Sequence, residues 1–160
     1  MSAVVIFVIV LFILFVIAFA SKRRFGMLGL ALAAGSVLSS LCADDLTTIV
    51  REFGAALLSP PLGAVVSAVL VLLPATALLM TGAKYKKVTH RIAGSLLFSV
   101  LGTALLLEPL GQALILQGPG RELFDVATLY QKYIVSIGIF LAVIELLITR
   151  SPNKHKDAKH

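Results

Sequence analysis

Apolar residues are concentrated in five long stretches that polar segments separate. A helix rises 1.5 Å per residue, so about 20 apolar residues cross a hydrocarbon core of about 30 Å. The first three stretches carry no charged residue, the fourth carries only Glu108, and the fifth only Glu145. None alternates polar and apolar residues as a barrel strand would. The pattern predicts an all-α, polytopic transmembrane bundle with five spans, at 2–20, 25–43, 62–81, 92–116 and 133–149.

The first span has an alternative interpretation as a cleaved signal peptide. Ala18, Phe19 and Ala20 form a small-x-small cleavage pattern, but no basic residue precedes the apolar run, and its basic cluster follows it. We therefore expect an uncleaved span, whereas cleavage would leave four. We predict one transmembrane domain over 1–149 and a basic tail over 150–160.

Basic residues alternate in density from one connection to the next. The connections after the first and third spans, with the tail, hold eleven of the fourteen lysines and arginines, while the other connections are net acidic. Because basic loops stay in the cytoplasm, the N-terminus is predicted outside and the C-terminus inside. This topology explains the sequence pI of about 9.8 without nucleic acid as a partner. The residues expected to contact lipid headgroups at the inner face are Lys22, Arg23, Arg24, Lys84, Lys86, Lys87 and Arg91.

The two longer connections have apolar residues at helical spacing. In 45–58, where Asp45 is a candidate N-cap, and in 121–132, these residues recur every three or four positions. Both segments are predicted to be short amphipathic helices on the outer membrane surface. The alternative is an ordinary packed loop in each place.

Small residues mark the faces on which the spans approach one another. Gly35 lies on a small-residue line of the second span, and Gly94 and Gly102 lie beside a serine–threonine line in the fourth. Small residues allow close helix packing in lipid. We expect spans two to four to form the core, although such lines also suit self-association. The first span, which has mostly large side chains, is expected to face lipid or a partner.

Glu108 and Glu145 are the two carboxylates within the predicted spans. Charged residues inside a membrane are costly and often functional. Glu108 precedes Pro109, which removes a backbone hydrogen bond and favours a bend beside a polar cavity. Arg51 and Arg121 are its candidate partners, and a neutral or helix-bonded Glu108 is the alternative. Glu145 is expected to reach the inner interface or to pair with Arg150.

No catalytic or metal-binding pattern is present in the sequence. Cys42 is the single cysteine, and the predicted topology places it near the opposite membrane face from His90. Asp44 and Asp45 are interpreted as capping and topology charges. We therefore predict no enzyme activity, no cofactor and no bound metal.

The basic turn at 21–26 and the segment 91–102 resemble the colicin V production protein (CvpA-like) family of bacterial inner-membrane proteins. Arg91, Gly94 and Gly102 match a family motif, whereas Phe98 and Leu101 replace its middle glycine and its arginine. The resemblance implies a multi-pass protein of the bacterial inner membrane that assists envelope maintenance or bacteriocin production and export. Its partner would be another membrane protein. The alternative function is a small oligomeric transporter or channel that uses Glu108.

Overall fold

The computed structural model describes residues 3–53, 61–81, 88–113 and 119–150. Apart from the turns at 22–24, 53, 61 and 106, these residues form α-helices. In chain order the helices are α1 (Ala3–Ser21), α2 (Phe25–Glu52), α3 (Leu62–Thr81), α4 (Val88–Leu105), α5 (Leu107–Ala113) and α6 (Pro119–Arg150).

Five of these helices, all except α5, are long and apolar enough to cross a membrane. The all-α transmembrane bundle is therefore confirmed, and the chain is a multi-pass membrane protein. Successive spans are antiparallel, so two ends of the bundle can be defined. The basic end contains Lys22–Arg24 and Arg91, and the acidic end contains Asp44, Glu108 and Glu122.

The separate surface helices predicted at 45–58 and 121–132 are wrong where the structure describes them. Residues 45–52 continue the second span as the end of α2, and 121–132 form the start of α6. Asp45 is interior to α2 and caps nothing. Both helices exceed the length that a bilayer requires, about 42 Å and 48 Å against about 30 Å. The apolar side chains of these extensions are only partly covered by the bundle, since Ile49 is 46% exposed and Tyr130 54%. Residues 54–58 lie outside the described part.

Pro109 interrupts the fourth span as its position predicts. α4 ends at Leu105, Leu106 forms a turn, and α5 begins at Leu107. Proline has no N–H to donate to the residue four positions earlier, so the hydrogen-bond ladder cannot be continuous here. Residues 114–116, the predicted end of this span, lie outside the described part. Pro74 causes no such interruption and remains inside α3.

Glycine contacts determine how closely the spans pack. A Cβ on Gly35 would lie 2.8 Å from the Val71 carbonyl carbon, so α2 and α3 touch backbone to backbone there. On α4, a Cβ on Gly102 would lie 3.0 Å from Leu14 of α1, and Gly94 is buried. Gly35 and Gly102 thus lie at close contacts between spans, and the packing role of Gly94 stays a prediction. The fully buried side chains nearby are Phe25, Leu28, Leu32, Phe98, Ser99 and Leu101.

The predicted exposure of α1 to lipid or a partner applies to only one of its faces. Its Val8 and Phe12 side chains are 61% and 63% exposed, as expected for a span that faces lipid or a partner. Its opposite face, however, is buried against the bundle through Phe7, Leu14 and Ala18. The large side chains of α1 therefore also contribute to the core.

The basic end is held by two arginines that the sequence assigns to headgroup contact. Arg23 donates from Nε to the Leu79 carbonyl at 3.0 Å, joining the α1–α2 turn to α3. The Arg91 guanidinium lies 3.8 Å from the centre of the Phe19 ring, joining α4 to α1. Lys22 is exposed with φ of 58°, and Arg24 is half-buried. Headgroup contact stays a prediction for these residues, and Lys84, Lys86 and Lys87 lie outside the described part, as does the tail at 151–160.

Candidate functional site

A cavity of about 250 Å³, here called the polar cleft, lies between α2, α3 and α5. It includes Glu108 together with Asp44, so the topology brings two carboxylates to one cavity. Both side chains are exposed to it rather than buried in protein. The complete lining is Ser36, Ser39, Ser40, Ala43, Asp44, Thr47, Gly63, Ser67, Val71, Leu105, Glu108, Pro109 and Gln112.

The polar cleft extends from the acidic end to about the middle of the bundle. Along α2, Ser36 lies about 16 Å from Phe25, which begins the helix at the basic end, and Asp44 lies about 28 Å from it. The hydrocarbon core is about 30 Å thick. Ser36 is therefore near the membrane midplane, and Asp44 is near the acidic surface.

Most of the polar groups in the cleft are hydrogen-bond acceptors. The Ser36 hydroxyl donates to the Ala33 carbonyl at 2.8 Å, Ser40 to Val37 at 2.8 Å, and Thr47 to Ala43 at 2.6 Å. Each hydroxyl proton is thus used within α2, which leaves oxygen lone pairs. Ionised carboxylates also only accept. The lining therefore suits a cation or a solute that donates hydrogen bonds.

Glu108 lies just after the helix break and borders two cavities. A second cavity of about 340 Å³, between α5 and α6, is lined by Glu108, Gln112, Phe124 and Gln131 among others. Glu108 and Gln112 are four residues apart on α5, so both border the two cavities on one helical face. Among the described residues no hydrogen bond or ion pair of Glu108 is found, and its pairing with Arg51 or Arg121 stays a prediction.

Gln131 supports this region, and the sequence did not indicate it. Its Nε2 donates to the Ala104 carbonyl at 2.9 Å, across from α6 to the last turn of α4. Carbonyls in the last turn of a helix lack an intrahelical partner. Gln131 thus bonds a carbonyl in the interrupted turn, next to the Leu105 carbonyl from which Pro109 withholds a donor. The sequence offered no signal for it, because Gln131 lies in the connection 121–132, outside the predicted fifth span.

The polar cleft is closed toward the basic end. Val71 and Leu105 line its inner limit, and Val71 is the residue whose backbone contacts Gly35. Beyond that contact lie fully buried apolar side chains, including Leu32 and Leu101. The described residues therefore form a cavity open at one end and not a continuous pore.

Glu145 lies at the opposite end of the bundle from Glu108, as predicted. Its Oε2 accepts a hydrogen bond of 2.7 Å from the backbone N–H of Gly26, at the start of α2. The N-cap residue Arg24 supplies no side-chain hydrogen bond to this helix. Glu145 therefore acts on the N-terminus of a neighbouring span, a contact that the sequence did not indicate. The side chain of Arg150, its predicted partner, lies outside the described part.

The remaining candidate groups do not assemble into a chemical site. Cys42 is half-buried in the acidic half of α2, while His90 is exposed at the basic end of α4. Across the ranges that the structure describes, no group of three His, Cys, Asp or Glu side chains is positioned to hold a metal. Glu108 and Asp44 thus share one cavity with hydroxyl and amide neighbours.

No known family model, no curated protein and no solved structure matches this chain.

Proposed function

We propose that this protein is a small membrane transporter whose polar cleft binds a cation or the protonated amine of a small solute. The observation that supports the proposal is the lining of the cleft, where Asp44 and Glu108 occur with five hydroxyl groups, three of which already donate their protons within α2. Ionisable residues in a membrane-spanning bundle are energetically costly, and they commonly mark a functional site.

A transporter agrees better with this geometry than an open channel does. Among the described residues the cleft extends from the acidic end, predicted to face outside, to the contact between Gly35 and Val71. Passage would require α2 and α3 to separate there, as in alternating access between two states. Carboxylates at the mouth would attract cations before they enter.

Uptake into proteoliposomes tests this function directly. The probes are Na⁺, Rb⁺ and methylammonium, measured as labelled tracers against empty liposomes. We expect uptake of at least one probe, and Glu108→Gln or Asp44→Asn to weaken its binding roughly 10- to 100-fold, as loss of a charge-assisted contact does. Glu122→Gln is the matched control, because Glu122 is exposed at the acidic end and outside the cleft.

Thermal unfolding of each variant establishes that it has folded. Absence of uptake for all three probes would argue against cation transport. Uptake that is equally fast in Glu108→Gln, Asp44→Asn and the Glu122→Gln control would remove the polar cleft from the pathway.

We propose as a second candidate an accessory role in envelope maintenance or in bacteriocin production and export, in the bacterial inner membrane. Its support is the partial CvpA-like motif on α4. Of the three matching residues, Arg91 contacts Phe19, Gly94 is buried, and Gly102 approaches Leu14. Gentle extraction from the native membrane, followed by intact-complex mass measurement, separates the two candidates. A stable foreign chain supports the accessory role, and a homo-oligomer supports the transporter.

A further inference from the structure

An apolar groove of about 620 Å³ separates α1 from α3. Ile13 and Ile17 form one wall, Ala68 and Leu72 the other, and Leu110 of α5 lies at its acidic end. Among the described residues that line the groove, Thr76 alone has a polar side chain, and its hydroxyl donates to the Leu73 carbonyl at 2.8 Å. The apolar lining of the groove therefore suits a hydrocarbon chain.

The length and position of the groove favour a lipid chain over a partner helix. On α3 the lining runs from Ala64 to Thr76, about 18 Å at helical rise. A spanning helix needs about 30 Å, whereas one leaflet contributes about 15 Å of hydrocarbon. An acyl chain that enters from the basic end of α3, five residues beyond Thr76, would lie along this lining.

Positive charge lies at this entrance. Leu79 is three residues beyond Thr76 and seven beyond Leu72, so it continues the same face of α3 toward the basic end. Its carbonyl accepts the hydrogen bond from Arg23, which places the guanidinium at the end of the groove. Lys22, in the same turn, is exposed and projects from a left-handed backbone position. A headgroup at this position would meet two cations.

We infer that the groove between α1 and α3 is a binding site for an anionic phospholipid of the basic-end leaflet. One acyl chain would lie between Ile17 and Leu72, and the phosphate would lie beside Lys22 and Arg23. The inference does not depend on the transport function, because the groove and the polar cleft lie on different sides of α3 and α5.

Native mass spectrometry of the full chain in mild detergent tests the site. The probes are phosphatidylglycerol and phosphatidylcholine with identical acyl chains, added in equal amounts. We expect phosphatidylglycerol to be retained preferentially. Lys22→Asn should lower that preference about fivefold, the effect of one basic residue near a membrane surface. Asparagine tolerates the left-handed backbone at this position, so the turn should be kept.

Two variants that fill the groove test the chain position. Ala68→Phe and Ile13→Trp should each reduce phosphatidylglycerol retention several-fold, and Ile13 is 50% exposed, so its replacement does not disturb the core. Val37→Phe, on the exposed face of α2, is the matched control and should retain the lipid. Equal retention of both lipids, or no effect of either filling variant, would overturn the inference. A dimer that both filling variants abolish would also overturn it, and would assign the groove to a second copy of the chain.

Discussion

The backbone N–H of Gly26 donates a 2.7 Å hydrogen bond to the Glu145 carboxylate, which links the start of α2 to α6. Gly26 also allows the two helices to come this close, because a Cβ there would lie 2.7 Å from the Ala142 carbonyl oxygen. The first N–H groups of a helix have no intrahelical partner, and in lipid each such group is costly. Glu145 therefore has a structural explanation, unlike Glu108.

Replacing Glu145 should destabilise the bundle. Glu145→Ala removes a charged acceptor from a helix N-terminus, and hydrogen bonds to charged groups contribute about 1.5–3 kcal/mol. We expect the free energy of unfolding in mixed micelles, followed by circular dichroism, to fall by about 2 kcal/mol. Glu122→Ala is the control, since Glu122 is an exposed carboxylate on the same helix. An equal fall in the free energy of unfolding of the two variants would show that the hydrogen bond from Gly26 does not stabilise the bundle.

Gly35→Ala should loosen the contact between α2 and α3. The added Cβ would collide with the Val71 backbone, which cannot move aside as a flexible side chain does. Overpacking of this kind costs about 1–3 kcal/mol. Gly63→Ala is a matched control, because its Cβ would meet only the Thr47 hydroxyl, at 3.9 Å. Thermal unfolding should show a lower midpoint for Gly35→Ala alone, and similar midpoints would contradict the close packing.

The continuity of α2 can be measured as a distance. Ala34 and Glu52 are both exposed, and their separation of eighteen residues corresponds to five full turns, about 27 Å on one face. A right-angle turn onto the membrane surface at Asp45 would reduce this distance to about 20 Å. Spin labels at these positions, with Cys42→Ser as background, should give the longer value by double electron–electron resonance. The shorter value would restore the surface helix expected from the sequence.

The orientation in the membrane follows from loop charge and awaits measurement. Single cysteines at His90 and Asp125, both exposed and at opposite ends of the bundle, provide the probes in a Cys42→Ser background. A membrane-impermeant maleimide applied to intact cells should label Asp125→Cys alone, and His90→Cys only after permeabilisation. Labelling of His90→Cys on intact cells would reverse the predicted topology and would place the polar cleft on the cytoplasmic side.

The sequence by itself determined the class of fold and its approximate spans. Helices satisfy their own backbone in lipid, so apolar length alone predicts them. The sequence also indicated Gly35 and Gly102 as positions of close helix packing, because small side chains allow helices to approach in lipid. The missing N–H of proline indicated a bend at Pro109, where the helix is interrupted, but α3 continues through Pro74, which lacks the same donor.

Only the tertiary structure decided what the polar residues contact. Residues 45–52 and 121–132 continue α2 and α6, a continuity that their surface-helix pattern did not indicate. Asp44 joins Glu108, Gln131 reaches Ala104, and Glu145 reaches Gly26, all across more than twenty positions of the chain. Such contacts depend on helix rotation and depth, which are determined by the fit of many side chains together. The pattern of hydrophobic residues along the chain indicates neither the rotation of a helix nor its depth in the bundle.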